Sequence, residues 1–197
     1  VAIARAFANR PMLLLADEVR SAAERLVNEK VVIDLQLTDV FDGDVLTATL
    51  DKIAAIIGTA AARGCDLVIF PELALNTWGH CAECADAHGP CPWHRGQAEV
   101  ADGPAFRSVL EAAAAHGVHV IYGFEEADET GSGAIYNSAN VVAPDRLVGT
   151  YRKLHLFGFR GGESGVLSGG DDVVVCETPF GVLGLATCYD LRFPELF

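Results

Sequence analysis

The sequence predicts an α/β domain with mixed sheets. Three observations carry this expectation. Apolar residues recur at helical spacing in two stretches, short apolar runs too brief for helices lie between and after them, and the second half reads as successive hairpins. The order strand, helix, strand, helix, strand and then hairpins is that of a layered α/β domain.

Val31 to Leu37 reads as the first strand, and Asp42-Gly43-Asp44 supplies a turn and an N-cap. The helix that follows spans about Val45 to Arg63. Leu46, Leu50, Ile53, Ile57 and Ala61 share one face, and Gly64 stands where a left-handed C-cap is wanted. Asp66 to Phe70 is a buried strand ended by Pro71, which puts Glu72 just past its tip. The stretch from Gly79 to Gly103, rich in Cys, His, Gly and Pro, is expected to be irregular. A second helix runs from Pro104 to His116 with Gly117 behind it. Val118 to Phe124 is a strand. Ile135 to Val142 and Leu147 to Tyr151 form a hairpin around Pro144-Asp145, with Lys153 at its far end. Val173 to Cys176 and Val182 to Thr187 make a further hairpin that delivers Cys188 directly after a strand.

Composition narrows the function classes. A length of 197 residues suits one domain, and no window is apolar for the roughly 18 residues a membrane span needs. A formal net charge of −13 repels phosphate backbones and anionic lipid surfaces, so a small molecule is expected as partner, with neither nucleic acid nor membrane. Six cysteines and no recognisable signal peptide point to free thiols in a reducing compartment, the cytoplasm.

Metal-free hydrolysis of an amide needs a nucleophile, a base that later returns a proton to the departing amine, and a positive group facing the tetrahedral oxyanion. Cys188, Glu72 and Lys153 are of these types and all follow strands. Each also has a plainer role: a small core thiol, a loop-capping carboxylate, a surface charge. Together the segments Phe70-Pro71-Glu72-Leu73, Tyr151-Arg152-Lys153-Leu154-His155-Leu156-Phe157 and Cys188-Tyr189-Asp190-Leu191-Arg192-Phe193-Pro194-Glu195 resemble the three signature blocks of the nitrilase superfamily of carbon–nitrogen hydrolases, in order.

The resemblance covers roughly Lys30 to Phe197, leaving residues 1–29 as a non-family extension. It implies a four-layer αββα sandwich and a Glu-Lys-Cys triad that acts through a thioester without any cofactor. Carried over by position, Glu72 is the base, Lys153 the oxyanion-side cation and Cys188 the nucleophile. Glu163 fits a second family glutamate that helps to position substrate, and the backbone N–H of Tyr189 would face the oxyanion. The Tyr-Asp-Leu-Arg-Phe-Pro-Glu continuation resembles the amidase branch, so the expected substrate is a small amide, with carbamoyl amino acids and nitriles as alternatives. Arg192 is placed either to clamp a substrate carboxylate or to pair internally with Glu195. Members of the family continue well beyond the point matching Phe197, so the domain is expected to be partial here, its activity open, and a homo-oligomer is expected of the full domain.

Two features stand outside this reading. Cys81, Cys84, His88 and Cys91, with His80 and His94 nearby, are ligand types for tetrahedral zinc, which makes a zinc-binding interaction module the rival from another class. The plainer alternative is an inserted loop at the active-site mouth, with His and Trp93 lining the substrate pocket. Residues 1–18 separately resemble an ABC-transporter ATPase segment, with Asp17 and Glu18 at the magnesium and water positions. No GxxxxGK[ST] phosphate loop exists in the chain, so an ATPase is not expected, and the segment is expected to pack as an added helix and strand or to be loosely held.

Overall fold

The structure, a computed structural model, describes residues 2–7, 31–33, 45–76, 89–158 and 162–197. Its elements in order are β1 (Ala2–Phe7), β2 (Val31–Ile33), α1 (Val45–Ala62), β3 (Leu67–Ile69), α2 (Pro92–Gln97), α3 (Pro104–His116), β4 (His119–Ala127), β5 (Ile135–Ala143), β6 (Arg146–Arg152), α4 (Glu163–Val166), β7 (Val175–Thr178) and β8 (Gly181–Thr187). Two 3₁₀ turns, Cys188–Arg192 and Pro194–Leu196, follow.

The strands form a five-stranded sheet, β2-β3-β4-β5-β6, and a three-stranded sheet, β1-β8-β7. Pairing is parallel from β2 to β4 and antiparallel from β4 to β6, as helical crossovers and tight hairpins respectively require. Alternation along the strands sorts their side chains into two cores. Val68, Phe70, Val120, Tyr122, Phe124 and Val142 face α1 and α3, where they meet Ile53, Ile57, Val109 and Ala113. Leu67, Ile69, Ile121, Ala139, Val141 and Tyr151 face the second sheet, meeting Cys176, Leu183 and Leu185. The result is a mixed α/β fold in which helices cover one face of the large sheet and the small sheet covers the other. Burying each large apolar side chain here is worth roughly 1.5–3 kcal/mol.

The helix ends follow the chemistry read from sequence. Pro104 opens α3 behind Gly103, and Gly117 closes it at φ 67°, while Gly64 at φ 81° follows α1. One expectation is revised: the stretch expected to be irregular contains α2, which Pro92 opens, and a bridge from Glu99 to Glu126 of β4. Ala2–Phe7, within the segment expected to pack as an added helix and strand or to be loosely held, is a strand whose backbone pairs antiparallel with β8 and satisfies that strand's free edge. Beyond Cys188 the chain tightens into 3₁₀ turns, and the Asp190 side chain folds back to cap the first of them. Among the described residues no helix is long and apolar enough to cross a membrane.

Candidate active site

Glu72 sits in the turn that follows β3, and that turn is stitched to β4 along its length. The Phe70 N–H donates to the Ile121 carbonyl at 2.8 Å, Leu75 N–H to Gly123 at 3.1 Å, and Glu125 N–H to the Asn76 side chain at 2.6 Å. The two segments lie so close at Gly123 that a Cβ there would stand 2.5 Å from the Leu73 nitrogen. Leu73 itself takes a left-handed backbone at φ 51°. Position 123 therefore needs glycine for the sake of its neighbour.

Lys153 follows β6 and is 1% exposed. Its N–H donates to the Asn137 carbonyl at 2.8 Å, extending the β5–β6 ladder by one step and turning the side chain inward. The ammonium reaches Glu72 Oε1 at 2.6 Å and Glu163 Oε2 at 2.8 Å. Glu163, the first residue of α4, is buried and also accepts the Phe157 N–H at 2.8 Å. Asn137 closes the group from β5: its amide donates to Glu72 Oε1 at 2.7 Å and to Glu163 Oε1 at 2.5 Å. One cation thus lies between two carboxylates, and a neutral amide supplies the extra donors that two buried anions need.

Cys188 is exposed as a residue and stands at φ 48°, a conformation that costs a non-glycine residue about 1–3 kcal/mol and marks a sharp corner after β8. Its thiol stands near enough to Glu72 and Lys153 for both charges to bear on its titration. Asp190, fully buried, holds this corner. One oxygen accepts the Thr187 N–H at 2.9 Å and the Tyr151 hydroxyl at 2.6 Å, and the other accepts the backbone N–H and the Nδ1–H of His155, both at 2.8 Å. Thr187 and Asp190 also form a reciprocal capping box. The first N–H groups of such a turn have no partner within it, so that of Tyr189 is available near the sulfur.

The titration behaviour follows from these contacts. Desolvation and the Glu72 charge push the Cys188 thiol above its ordinary 9.0, against the opposing pull of Lys153. Desolvation works to raise the Glu72 carboxyl, yet nearby positive charge, Lys153 included, outweighs it and holds the group below 4.5. Burial alone would lower Lys153, but Glu72 and Glu163 keep it above 10.5. The resting arrangement is therefore a protonated thiol beside an ionised carboxylate and an ammonium. Such an arrangement can supply a nucleophile with a base beside it.

Around Cys188 stands an aromatic wall. Tyr189 packs edge-on against Phe157 at 5.4 Å and Phe193 at 5.3 Å, and Phe193 stacks on His155 at 3.6 Å. Arg192 is exposed on the same turn and forms no ion pair among the described residues, Glu195 included. Of the residues singled out by sequence, the structure joins Glu72, Lys153, Glu163 and Cys188 in one cluster and places Tyr189 and Arg192 on the corner that presents the thiol. Asn137 and Asp190 were missed. A polar Asn inside a strand, on the face otherwise filled by Ala139 and Val141, was the signal available for the first. Asp190 carried none beyond its nearness to Cys188.

Of the zinc candidates, Cys81, Cys84 and His88 lie outside the described residues, as does His80. Cys91 is buried at the start of α2, and among the described residues no group of three or more His, Cys, Asp or Glu side chains is arranged to hold a metal. The expectation that His and Trp93 line a substrate pocket is revised for His94. It is 1% exposed and bonded through Nδ1 to Glu125 at 2.7 Å, while Trp93 is 41% exposed and packs edge-on against it.

Comparison with known proteins gives the family. A family model described as Carbon-nitrogen hydrolase matches residues 44–197. Omega-amidase NIT2 of Xenopus tropicalis is 31% identical over 169 residues, covering 82% of this chain and 56% of the frog protein. The Deaminated glutathione amidase of Dictyostelium discoideum is 48% identical over 71 residues, 32% of this chain and 24% of its own. The crystal structure of Saccharomyces cerevisiae Nit3, described as a member of branch 10 of the nitrilase superfamily, superposes with a TM-score of 0.62 at 25% identity, covering 76% of this chain and 52% of Nit3. The chain thus spans about half the length of the relatives it matches most extensively. It belongs to the carbon–nitrogen hydrolase family, the nitrilase superfamily.

Proposed function

We propose that Glu72, Lys153 and Cys188 are the working parts of a thiol hydrolase that cleaves the C–N bond of a small amide and releases ammonia. The observation that carries this reading is the 2.6 Å ion pair of Lys153 with Glu72, set beside the sharp corner at φ 48° that presents Cys188. Glu72 takes the thiol proton as sulfur bonds to the substrate carbonyl carbon, and the negative charge moves to the carbonyl oxygen. The Lys153 ammonium and the Tyr189 N–H face that oxygen. Glu72 then passes the proton to the nitrogen as the C–N bond breaks, and ammonia leaves a thioester on Cys188. Water, deprotonated by the same carboxylate, attacks the thioester carbon. The acid departs and the proton returns to sulfur.

Glu163 holds Lys153 through a second ion pair and helps to shape the substrate end of the site. Arg192, exposed and unpaired with Glu195, suits a substrate that carries a carboxylate, since a guanidinium binds one through two parallel hydrogen bonds. The amidase-like Tyr189–Glu195 stretch favours small amides over carbamoyl amino acids and nitriles, and a carboxylate-binding Arg192 narrows them to amides that keep a free carboxylate. The test is an ammonia-release screen across the three classes with Cys188→Ala as control. Release from amides that disappears in the variant supports the reading, and release that survives it sinks the nucleophile assignment. A mass increase matching the acyl group on the Cys188 peptide after rapid quenching tests the thioester.

A further inference from the structure

We propose that Asn76 is a positioning residue for Glu72, tying the Glu72 turn to a brace that α2 and β4 form around the buried His94–Glu125 pair. This role rests on the reading of Glu72 as the base and adds the parts that aim it.

Asn76 closes the turn that carries Glu72. It is 3% exposed, and both ends of its amide are used. Oδ1 accepts the Glu125 N–H of β4 at 2.6 Å, and Nδ2 donates to the Gln97 carbonyl at the end of α2, also at 2.6 Å. Within the turn, the Asn76 N–H donates to the Leu73 carbonyl at 3.2 Å and the Ala74 N–H to the Pro71 carbonyl at 3.3 Å. A shift at Asn76 is therefore passed to Glu72 across one tight turn. A buried amide that serves main-chain groups of two other segments holds all three in register.

The brace has its own polar core. The Glu99 N–H donates to the Glu125 carbonyl and the Ala127 N–H to the Glu99 carbonyl, both at 2.9 Å, so the chain leaving α2 runs along β4. His94 is the one buried residue within α2, and a helix of six residues is too short to keep its place unaided. Its Nδ1 meets Glu125 Oε1 at 2.7 Å, the two side chains being 1% and 0% exposed. Glu125 Oε2 has no hydrogen-bond partner among the described residues, which commits that side chain to His94. Burial, with a smaller push from Cys91, raises Glu125 to about 8, and burial lowers His94. At neutral pH the pair is thus an uncharged acid donating to an uncharged ring. Glu125 holds Asn76 with its main chain and α2 with its side chain. Glu72 has little room for error: Lys153 reaches its Oε1 at 2.6 Å and Asn137 at 2.7 Å, and displacing a reacting group by about 1 Å can cost about 100-fold in rate.

The test reads Glu72 through the thiol, without turnover. Desolvation and then the Glu72 charge hold Cys188 above its ordinary 9.0, so a carboxylate moved away from the corner lowers the pH at which iodoacetamide labels the Cys188 peptide. Asn76→Ala should move that profile down, in the direction of Glu72→Gln, and cut kcat for ammonia release by up to about 100-fold with KM little changed. Asn76→Ser, which leaves a hydroxyl beside the Glu125 N–H, is the milder change and should shift the profile less, in the same direction. Glu125→Gln, which retains a hydrogen bond to His94, should stay nearer the parent than Glu125→Ala. A parent-like profile in folded Asn76→Ala or Asn76→Ser, where Glu72→Gln does shift it, overturns the positioning role and leaves Glu72 standing as base. An unchanged profile in Glu72→Gln overturns both. Equal effects of Glu125→Gln and Glu125→Ala remove the His94–Glu125 pair from the brace.

Discussion

Replacing Asn137 with leucine separates the contribution of its amide from that of its volume. The two side chains are similar in size, so at a site 2% exposed the change leaves little cavity and removes mainly two hydrogen bonds, to Glu72 Oε1 and Glu163 Oε1. Hydrogen bonds to charged groups contribute roughly 1.5–3 kcal/mol each. Both carboxylates keep Lys153, so we take the lower bound and expect a loss of about 3 kcal/mol at neutral pH. With a urea dependence of roughly 2 kcal/mol per molar, the unfolding midpoint followed by tryptophan fluorescence should fall by about 1.5 M. The pH dependence checks the cause. Glu72 is held below 4.5 in the folded protein, so its stabilising effect is present above that value and fades as pH falls through the lowered one. The gap between parent and variant should therefore narrow in acid. A midpoint within about 0.25 M of the parent at pH 7, or a gap that does not change with pH, refutes the assigned role of the amide.

Gly123→Ala forces a Cβ to within 2.5 Å of the Leu73 nitrogen and 2.8 Å of the Pro71 carbonyl; it should cost about 1–3 kcal/mol in a denaturant melt and shift the Glu72 turn enough to depress ammonia release. Glu72→Gln removes the carboxylate that helps hold the Cys188 thiol above 9.0, so the pH profile of Cys188 alkylation should move down while turnover vanishes; an unchanged profile would separate the two residues. Because Cys188 stands at φ 48°, Cys188→Gly should be more stable than Cys188→Ala by about 1 kcal/mol in thermal unfolding, with both inactive. Lys153 lies above 10.5 in the folded state, so the stability it contributes holds below that value and is lost as pH rises through the raised one, which Lys153→Met should abolish in an alkaline titration.

The sequence revealed the elements whose signals are local and left hidden those whose cause is tertiary. Helix α1 was legible from Leu46, Leu50, Ile53 and Ile57 on one face, and α3 from Pro104 at its start and Gly117 behind it, because period and capping act within a few residues. Lys153 and Cys188 were legible as residues that follow strands. Their meeting with Glu72 was legible only through the family resemblance and not from local pattern, since it depends on how β3, β6 and β8 are ordered across two sheets. Helix α2 was obscured by a composition of Cys, Pro, Trp and His that carries little helical period. Asn137 looked like one polar residue in an apolar strand, and its role appears only when Glu72, Lys153 and Glu163 arrive from three other segments.

That convergence bears on when the site comes into being during folding. Lys153 and Glu72 are 81 residues apart in the chain, and Lys153 and Glu163 only 10. The nearer pair can close while the rest is still unfolded, whereas the longer loop has to be closed through the parallel pairing of β3 with β4. The thiol corner leans on the same assembly, because Asp190 is held by Tyr151 and His155 at the end of β6. A chain caught before the two sheets dock would present Cys188 without its proposed base and without its sharp corner. The proposed nucleophile would then be an ordinary surface cysteine, its surroundings set by the docking of the two sheets.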